Sequence, residues 1–269
     1  MGYPKKIVDT FLKLWYFTHP LKKISPYSPF KQIIAPLISD RMTSATYLPL
    51  HEDIALPEST VAPYRLLEEM LRKSAVRFRF NHCICRNQED CTNYPHELGC
   101  IFIGEAAADI NPQLGRRISV EEALEQVREA ARLGLPGMIG HLWMDALSLG
   151  VFRKFDNFLV ICFCCDCCCL LRTDMKVASQ GFHDILKRLD GITITVSDEC
   201  VGCGTCAEQC FVEAIRVEGG KALHDEEKCK ACGRCAVLCP RGAVEFAFDD
   251  ADKMLLDLYR RVEGTTNIR

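Results

Sequence analysis

The chain has no uninterrupted apolar run of about 18 residues, so the sequence offers no spanning helix. It contains neither a G-x-G-x-x-G nor a Walker-type phosphate loop, and the glycine-interrupted stretch 135–150 fits neither spacing, so nucleotide-dependent chemistry has no anchor. Charge of one sign is not in excess. The 33 Lys and Arg against 36 Asp and Glu leave a net charge of −3, which argues against general nucleic-acid binding. The N-terminal segment lacks an apolar core followed by a small-residue cleavage site, so export is not expected and a cytoplasmic location is. Low-complexity tracts are missing too. What remains is an ordinary globular composition, 48% hydrophobic and 26% charged, over 269 residues, enough for one or two domains with a sizeable core.

Cysteine is what the chain has in excess, with 18 residues. A disulfide scaffold belongs to short exported chains, so here the thiols are expected to be reduced and mostly bound to metal. Eight form a doubled run: Cys200-x2-Cys203-x2-Cys206-x3-Cys210, then Cys229-x2-Cys232-x2-Cys235-x3-Cys239-Pro240, separated by 18 residues. Zinc bound by paired C-x2-C units explains one pair of steps. It does not explain a third cysteine at the same step and a fourth at x3, both repeated.

Over about 198–248 the chain resembles the bacterial-type 2[4Fe–4S] ferredoxin family. The resemblance implies two [4Fe–4S] clusters, with the last cysteine of each run ligating the other run's cluster. One centre would then take Cys200, Cys203, Cys206 and Cys239, and the other Cys229, Cys232, Cys235 and Cys210. Gly202, Gly204, Gly233 and Gly242 suit backbone wrapped around a cluster with its N–H groups aimed at sulfur. Two departures stand out: Cys210 is followed by Phe211 where the family has proline, and long sequence precedes the run.

Ten further cysteines lie upstream: Cys83, Cys85, Cys91, Cys100, Cys162, Cys164, Cys165, Cys167, Cys168 and Cys169. One or two buried thiols need no explanation, but six within 162–169 do. Neighbours on an extended chain face opposite ways, so C-x-C-C-x-C-C-C suits two centres, or one centre with spares. H-C-x-C-R followed by this block resembles a cysteine-rich domain found ahead of ferredoxin modules in redox proteins of anaerobes, over roughly 80–170. The absence of Cys-Cys-Gly separates it from the cysteine domain of heterodisulfide reductases. At least one further iron–sulfur cluster is expected here, drawing on both blocks. Iron is favoured over zinc because the ferredoxin half already demands cluster loading and needs a redox neighbour. His82, Arg86 and His141 are candidates for supporting or substituting the thiols, against a plainer structural role.

Three segments follow from these patterns: a basic amphipathic arm (1–50), a cysteine-rich part (51–192) and a ferredoxin part with a closing helix (193–269). The fold class is α+β, with the cysteine-rich part expected to be mostly helical. Seven basic residues (Lys5, Lys6, Lys13, Lys22, Lys23, Lys31, Arg41) against Asp9 and Asp40 mark the arm. Residues 1–20 suit docking on a partner or membrane surface, or packing on their own chain. Helices are predicted over 59–73, 120–133 (capped by Ser119 and Glu122), near 177–189 and over 250–262. Strands are predicted at 76–80, 155–163, 192–196, 214–217, 221–224 and 243–248, and 135–150 fits no class. The expected function is that of an electron-transfer protein or oxidoreductase subunit serving a redox partner. The alternatives are a reductase acting at the upstream centre and a cluster-storage or scaffold protein.

Overall fold

The structure, a computed structural model, describes residues 1–17, 39–50, 62–177 and 183–269. Apolar residues at helical spacing form α1 (Lys5–Phe17), in which Val8 is buried while Ile7 and Leu14 face outward. Its approach is fixed by Tyr3, whose N–H donates to the Leu149 carbonyl at 3.0 Å. Strand β1 (Thr43–Leu48) and helix α2 (Ala62–Lys73) follow. The alternating Arg-Phe-Arg-Phe segment becomes β2 (Arg77–Phe80), with the short helix α3 (Ile84–Gln88) after it. Next come β3 (Ile101–Ile103), β4 (Gly115–Arg117) and α4 (Val120–Arg132). The Ser119 hydroxyl accepts from the Glu122 N–H at 3.1 Å, and the Glu122 carboxylate from the Ser119 N–H at 2.9 Å, so the expected capping box is formed.

A seven-stranded sheet, rather than a set of helices, organises this part of the chain, which corrects the mostly helical expectation. Its remaining strands are β5 (Gly137–Leu142), β6 (Leu159–Phe163) and β7 (Leu186–Lys187), in the order β4-β2-β3-β6-β5-β1-β7. Every pairing is antiparallel except β1 with β7. The stretch 135–150, which fitted no class, holds a strand and a helix in succession, with α5 (Trp143–Ser148) beginning directly at the end of β5. The period changes from two to 3.6 without a turn to mark it. Two further expectations shift. Residues 155–163 form a strand only from Leu159, because a 3-10 turn over Phe152–Asn157 takes the first part. Of the helix expected near 177–189, residues 178–182 lie outside the described residues; α6 (Leu170–Val177) precedes them, and Leu186 and Lys187 form a strand that pairs with Ala45 and Thr46. Residues 18–38 of the basic arm, with Lys22, Lys23 and Lys31, lie outside the described residues.

The C-terminal part follows its predicted strands closely. β8 (Ile192–Val196) pairs with the later β11 (Val244–Phe248), while β9 (Ile215–Glu218) and β10 (Lys221–His224) form a hairpin. The two cysteine runs place equivalent helical turns, α7 (Thr205–Glu208) and α8 (Arg234–Leu238), each opened by a left-handed glycine at φ 86° (Gly204) and 83° (Gly233). A side chain is costly in that region of φ, which is why the repeat carries glycine there. Asp250 caps the closing helix α9 (Ala251–Glu263), accepting from the Asp252 and Lys253 N–H groups. This helix packs on α2. The chain then returns to the large sheet: Ala75 N–H donates to the Ile268 carbonyl at 2.9 Å and Asn267 N–H to that of Asp156 at 2.7 Å. One buried core is therefore continuous from Leu66 and Ile139 through Phe211, Ala231 and Val244 to Leu258.

Candidate metal centres

The two cysteine runs wrap two recesses. One, of about 310 Å³, is lined by Cys200, Cys203, Cys206 and Cys239 together with Gly202, Ala222 and Val244. The other, of about 410 Å³, is lined by Cys210, Cys229, Cys232 and Cys235, with Phe211, Ile194 and Arg172, and Cys206 reaches its edge. The first recess thus gathers three cysteines of one run and the last of the other, and the second does the same with Cys206 shared between them. The cause is local: α7 and α8 lie against each other, and each run's final x3 step carries its last cysteine past its own helical turn.

Backbone donors already point at the sulfurs. N–H to Sγ distances are 3.4 Å for Ala222 to Cys200, 3.2 Å for Ala214 to Cys210, 3.3 Å for Ala231 to Cys229 and 3.2 Å for Ala243 to Cys239. Such bonds favour thiolate over thiol and are one lever on a cluster's potential. Burial acts the other way on the unligated thiols, pushing Cys229 up to about 11 and Cys210 and Cys206 upward as well. A bound cation is what would offset that cost. Gly202 closes the first recess at φ 62°, and a Cβ there would lie 2.4 Å from the Gly220 carbonyl oxygen.

The ten upstream cysteines divide into two sets. Cys91, Cys165, Cys167 and Cys168 bring their Sγ atoms within 4.8 Å of one another, with Cys91 and Cys167 at 3.6 Å. Asp90, left-handed at φ 47°, turns the chain after α3 so that Cys91 meets the loop 165–168. The other six form a row, four of them buried and Cys85 and Cys162 half-buried. Cys162 lies 3.2 Å from Cys100. Cys100 and Cys85 donate to Cys83 and hold its thiol low, while Cys164 and Cys85 do the same for Cys169. The donors are displaced upward in turn, Cys85 and Cys164 first by their contacts with Cys169 and Cys100 first by its contact with Cys162, with burial adding to each. Sequence neighbours part company: Cys164 and Cys169 join the row, and Cys165 and Cys168 the compact set.

Arg86 stands between the two sets. It is fully buried, its guanidinium lies against the Cys165 thiol with the Cys83 and Cys100 charges also acting on it, and it donates to the carbonyls of Pro95 (3.1 Å) and Leu98 (3.2 Å). His82 is exposed and far from this role. His141 is structural, with Nδ1 2.9 Å from the Phe158 carbonyl and its ring stacked 3.8 Å from Phe155.

Sequence reasoning did not single out the groups that tie these sets to the ferredoxin recess. Asp166, the one charged residue inside the cysteine block, accepts from Arg172 at 2.8 Å and from Arg234 Nε at 2.8 Å. Its isolation among cysteines was a usable signal. Arg172 carried none, and Arg234 only its place among the basic residues beside the second cysteine run, where it could offset cluster charge or be a solvated surface residue. The Arg172 side chain is only 1% exposed, its guanidinium is 4.4 Å from the Phe211 ring centroid, and its backbone N–H is bonded to the Cys169 thiol. Burial opposes its charge, but Cys232, Tyr47 and Asp166 keep it protonated. One residue therefore touches the thiol row and the second ferredoxin recess together.

Residues 199–243 match the family model of the 4Fe-4S dicluster domain. No curated protein and no solved structure matches the chain. Among the described residues no helix is long and apolar enough to cross a membrane.

Proposed function

We propose that this protein passes single electrons between a redox partner and an upstream thiol-ligated centre, through two [4Fe–4S] clusters in its C-terminal part. The dicluster match at 199–243 and the cysteine-rich region upstream support an iron–sulfur electron-transfer role. The observation that carries the finer reading is the crossed lining of the two recesses, three cysteines from one run and the fourth from the other. The donor set fits the group, with four thiols lining the first recess and five the second, N–H donors to sulfur and apolar walls from Ala222, Val244, Phe211 and Ile194. When bound, each cluster supplies one-electron redox chemistry.

The chain's own residues do the rest. Ala214, Ala222, Ala231 and Ala243 direct N–H dipoles at four of the ligand sulfurs, Arg172 offsets negative charge beside Cys232, and the wall residues exclude water. The second recess adjoins the upstream row through Arg172, while the first lies toward the surface, where Cys203 is exposed. Electrons would enter or leave at the Cys203 side and reach the upstream centre from the Cys232 side. The exposed Lys5, Lys6 and Lys13, with Ile7 and Leu14, give α1 a face for docking the redox partner.

The test uses the full chain, because its core is continuous across the two parts. In anaerobically purified protein, Cys239→Ser should alter the EPR signal of the cluster assigned to Cys200, Cys203 and Cys206 and leave that of Cys229, Cys232 and Cys235. The reverse result would overturn the crossed assignment.

A further inference from the structure

The compact set of four upstream thiols and the ferredoxin recesses differ in a way that bears on what each binds. Four thiolates held tetrahedrally by one ion at about 2.3 Å stand about 3.8 Å apart. The Cys91 and Cys167 sulfurs are 3.6 Å apart, and all four sulfurs of the set lie within 4.8 Å of one another. A [4Fe–4S] cubane carries its four thiolates on four different irons and so spreads them more widely. The same molecule provides the comparison: among the described residues, no three of the eight ferredoxin thiols come within 4.8 Å of one another, and no three of the other six upstream thiols do.

We propose that Cys91, Cys165, Cys167 and Cys168 bind a single tetrahedral zinc ion, leaving the other six upstream thiols as the iron–sulfur centre that faces the ferredoxin clusters. The proposal rests on the function put forward above and divides its upstream centre into two sites. Three features besides spacing carry it. The four ligands come from two segments 76 positions apart at Cys91 and Cys167, so an ion there ties the turn after α3 to the cysteine loop. Four protein thiolates leave no open coordination position, which is the pattern of a structural rather than a catalytic site. Backbone N–H groups of Asn93 and Tyr94 bond the Cys91 sulfur, and that of Cys168 bonds Cys165, completing a shell that orients the ligands.

Arg86 gives the division its physical boundary. A four-thiolate zinc site carries net negative charge, as does a thiolate-ligated iron–sulfur centre, and the two would repel at this distance. The fully buried Arg86 guanidinium lies between Cys165 of one set and Cys83 of the other, and its Nε has no hydrogen-bond partner among the described residues. It screens one site from the other. Zinc suits the compact set because it is redox-inert, has no geometric preference of its own and binds thiolate more tightly than ferrous iron does.

The test is zinc K-edge X-ray absorption with metal analysis of the full-length protein, purified anaerobically from cells supplied with iron and zinc. The expected result is about one zinc per chain in a shell of four sulfurs at about 2.3 Å, with no metal–metal scattering. Cys91→Ser should lose that zinc, keep its iron and leave the EPR spectrum of the dithionite-reduced protein unchanged. Cys100→Ser should lose iron and keep zinc. Absence of zinc, a lone iron at these four sulfurs, or loss of iron from Cys91→Ser would overturn the proposal. If Cys91→Ser does not fold, absorption on the unsubstituted protein decides alone. Zinc retained with the iron content of Cys100→Ser unchanged would instead count against an upstream redox centre, so the two readings fail separately.

Discussion

At the scale of single residues, Gly202 and His141 are where local conformation and burial have the sharpest consequences. Gly202 combines a left-handed φ of 62° with a Cβ position 2.4 Å from a backbone oxygen, so no side chain fits without moving the Gly220 turn. Gly202→Ala should cost about 1–3 kcal/mol from the strained φ alone. It should also destabilise the cluster of the first recess, read as faster loss of visible absorption in air than for Gly242→Ala, whose Cβ position is open. His141 is held neutral by burial, which lowers its pKa below the ordinary 6.5, although the Phe158 carbonyl opposes the shift. A histidine with a depressed folded pKa contributes stability above its unfolded value and loses it as pH falls through the folded one. The urea midpoint should therefore fall below about pH 6.5. His224 shifts in the same direction, so the readout is a shallower slope in His141→Asn than in the parent protein.

At the scale of elements, the contact that matters most joins the cysteine loop to α8 and α6. Asp166 is 12% exposed and sits between Arg172 and Arg234, which are 1% and 4% exposed. Removing its charge leaves two buried guanidiniums without their carboxylate. Asp166→Asn should lower stability by about 3–5 kcal/mol, the cost of breaking a buried pair from one side. The cluster beside Cys232 should also shift its midpoint potential, because Arg172 would be free to turn more fully toward it. An unchanged potential with normal metal content would show that Arg172 is only a structural cation. On α4, Ser119→Ala removes one half of a formed capping box and should cost about 1 kcal/mol in thermal or chemical unfolding.

The elements also show what the sequence made readable. The Ser119 box, the alternating strand at 77–80 and the short strands around the cysteine runs were legible because each rests on near neighbours. The passage from β5 straight into α5 was not, since its apolar residues serve two periods in turn. The Asp166 bridge reaches Arg234 across 68 positions and leaves no local pattern. The block C-x-C-C-x-C-C-C suggested two centres, or one centre with spares, from the alternation of side chains, but grouping the thiols needed the fold of 83–100 against 162–169.

At the scale of the whole molecule, the ferredoxin-type part is built into the rest. The tail beyond α9 donates to Asp156 and accepts from Ala75, and the core runs unbroken from the large sheet to Val244 and Leu258. The Cys232 recess thereby faces inward, toward the upstream thiols, and the Cys203 recess faces outward. The central claim is that iron–sulfur chemistry continues upstream of the dicluster segment, in electronic contact with it. Stepwise reductive titration of the intact, anaerobically purified protein, followed by EPR and paired with iron analysis, tests it most directly. The account predicts clearly more than the about eight irons that two [4Fe–4S] clusters require, and a third paramagnetic centre that Cys100→Ser removes. About eight irons, with a spectrum wholly explained by two clusters and untouched by Cys100→Ser, would contradict it.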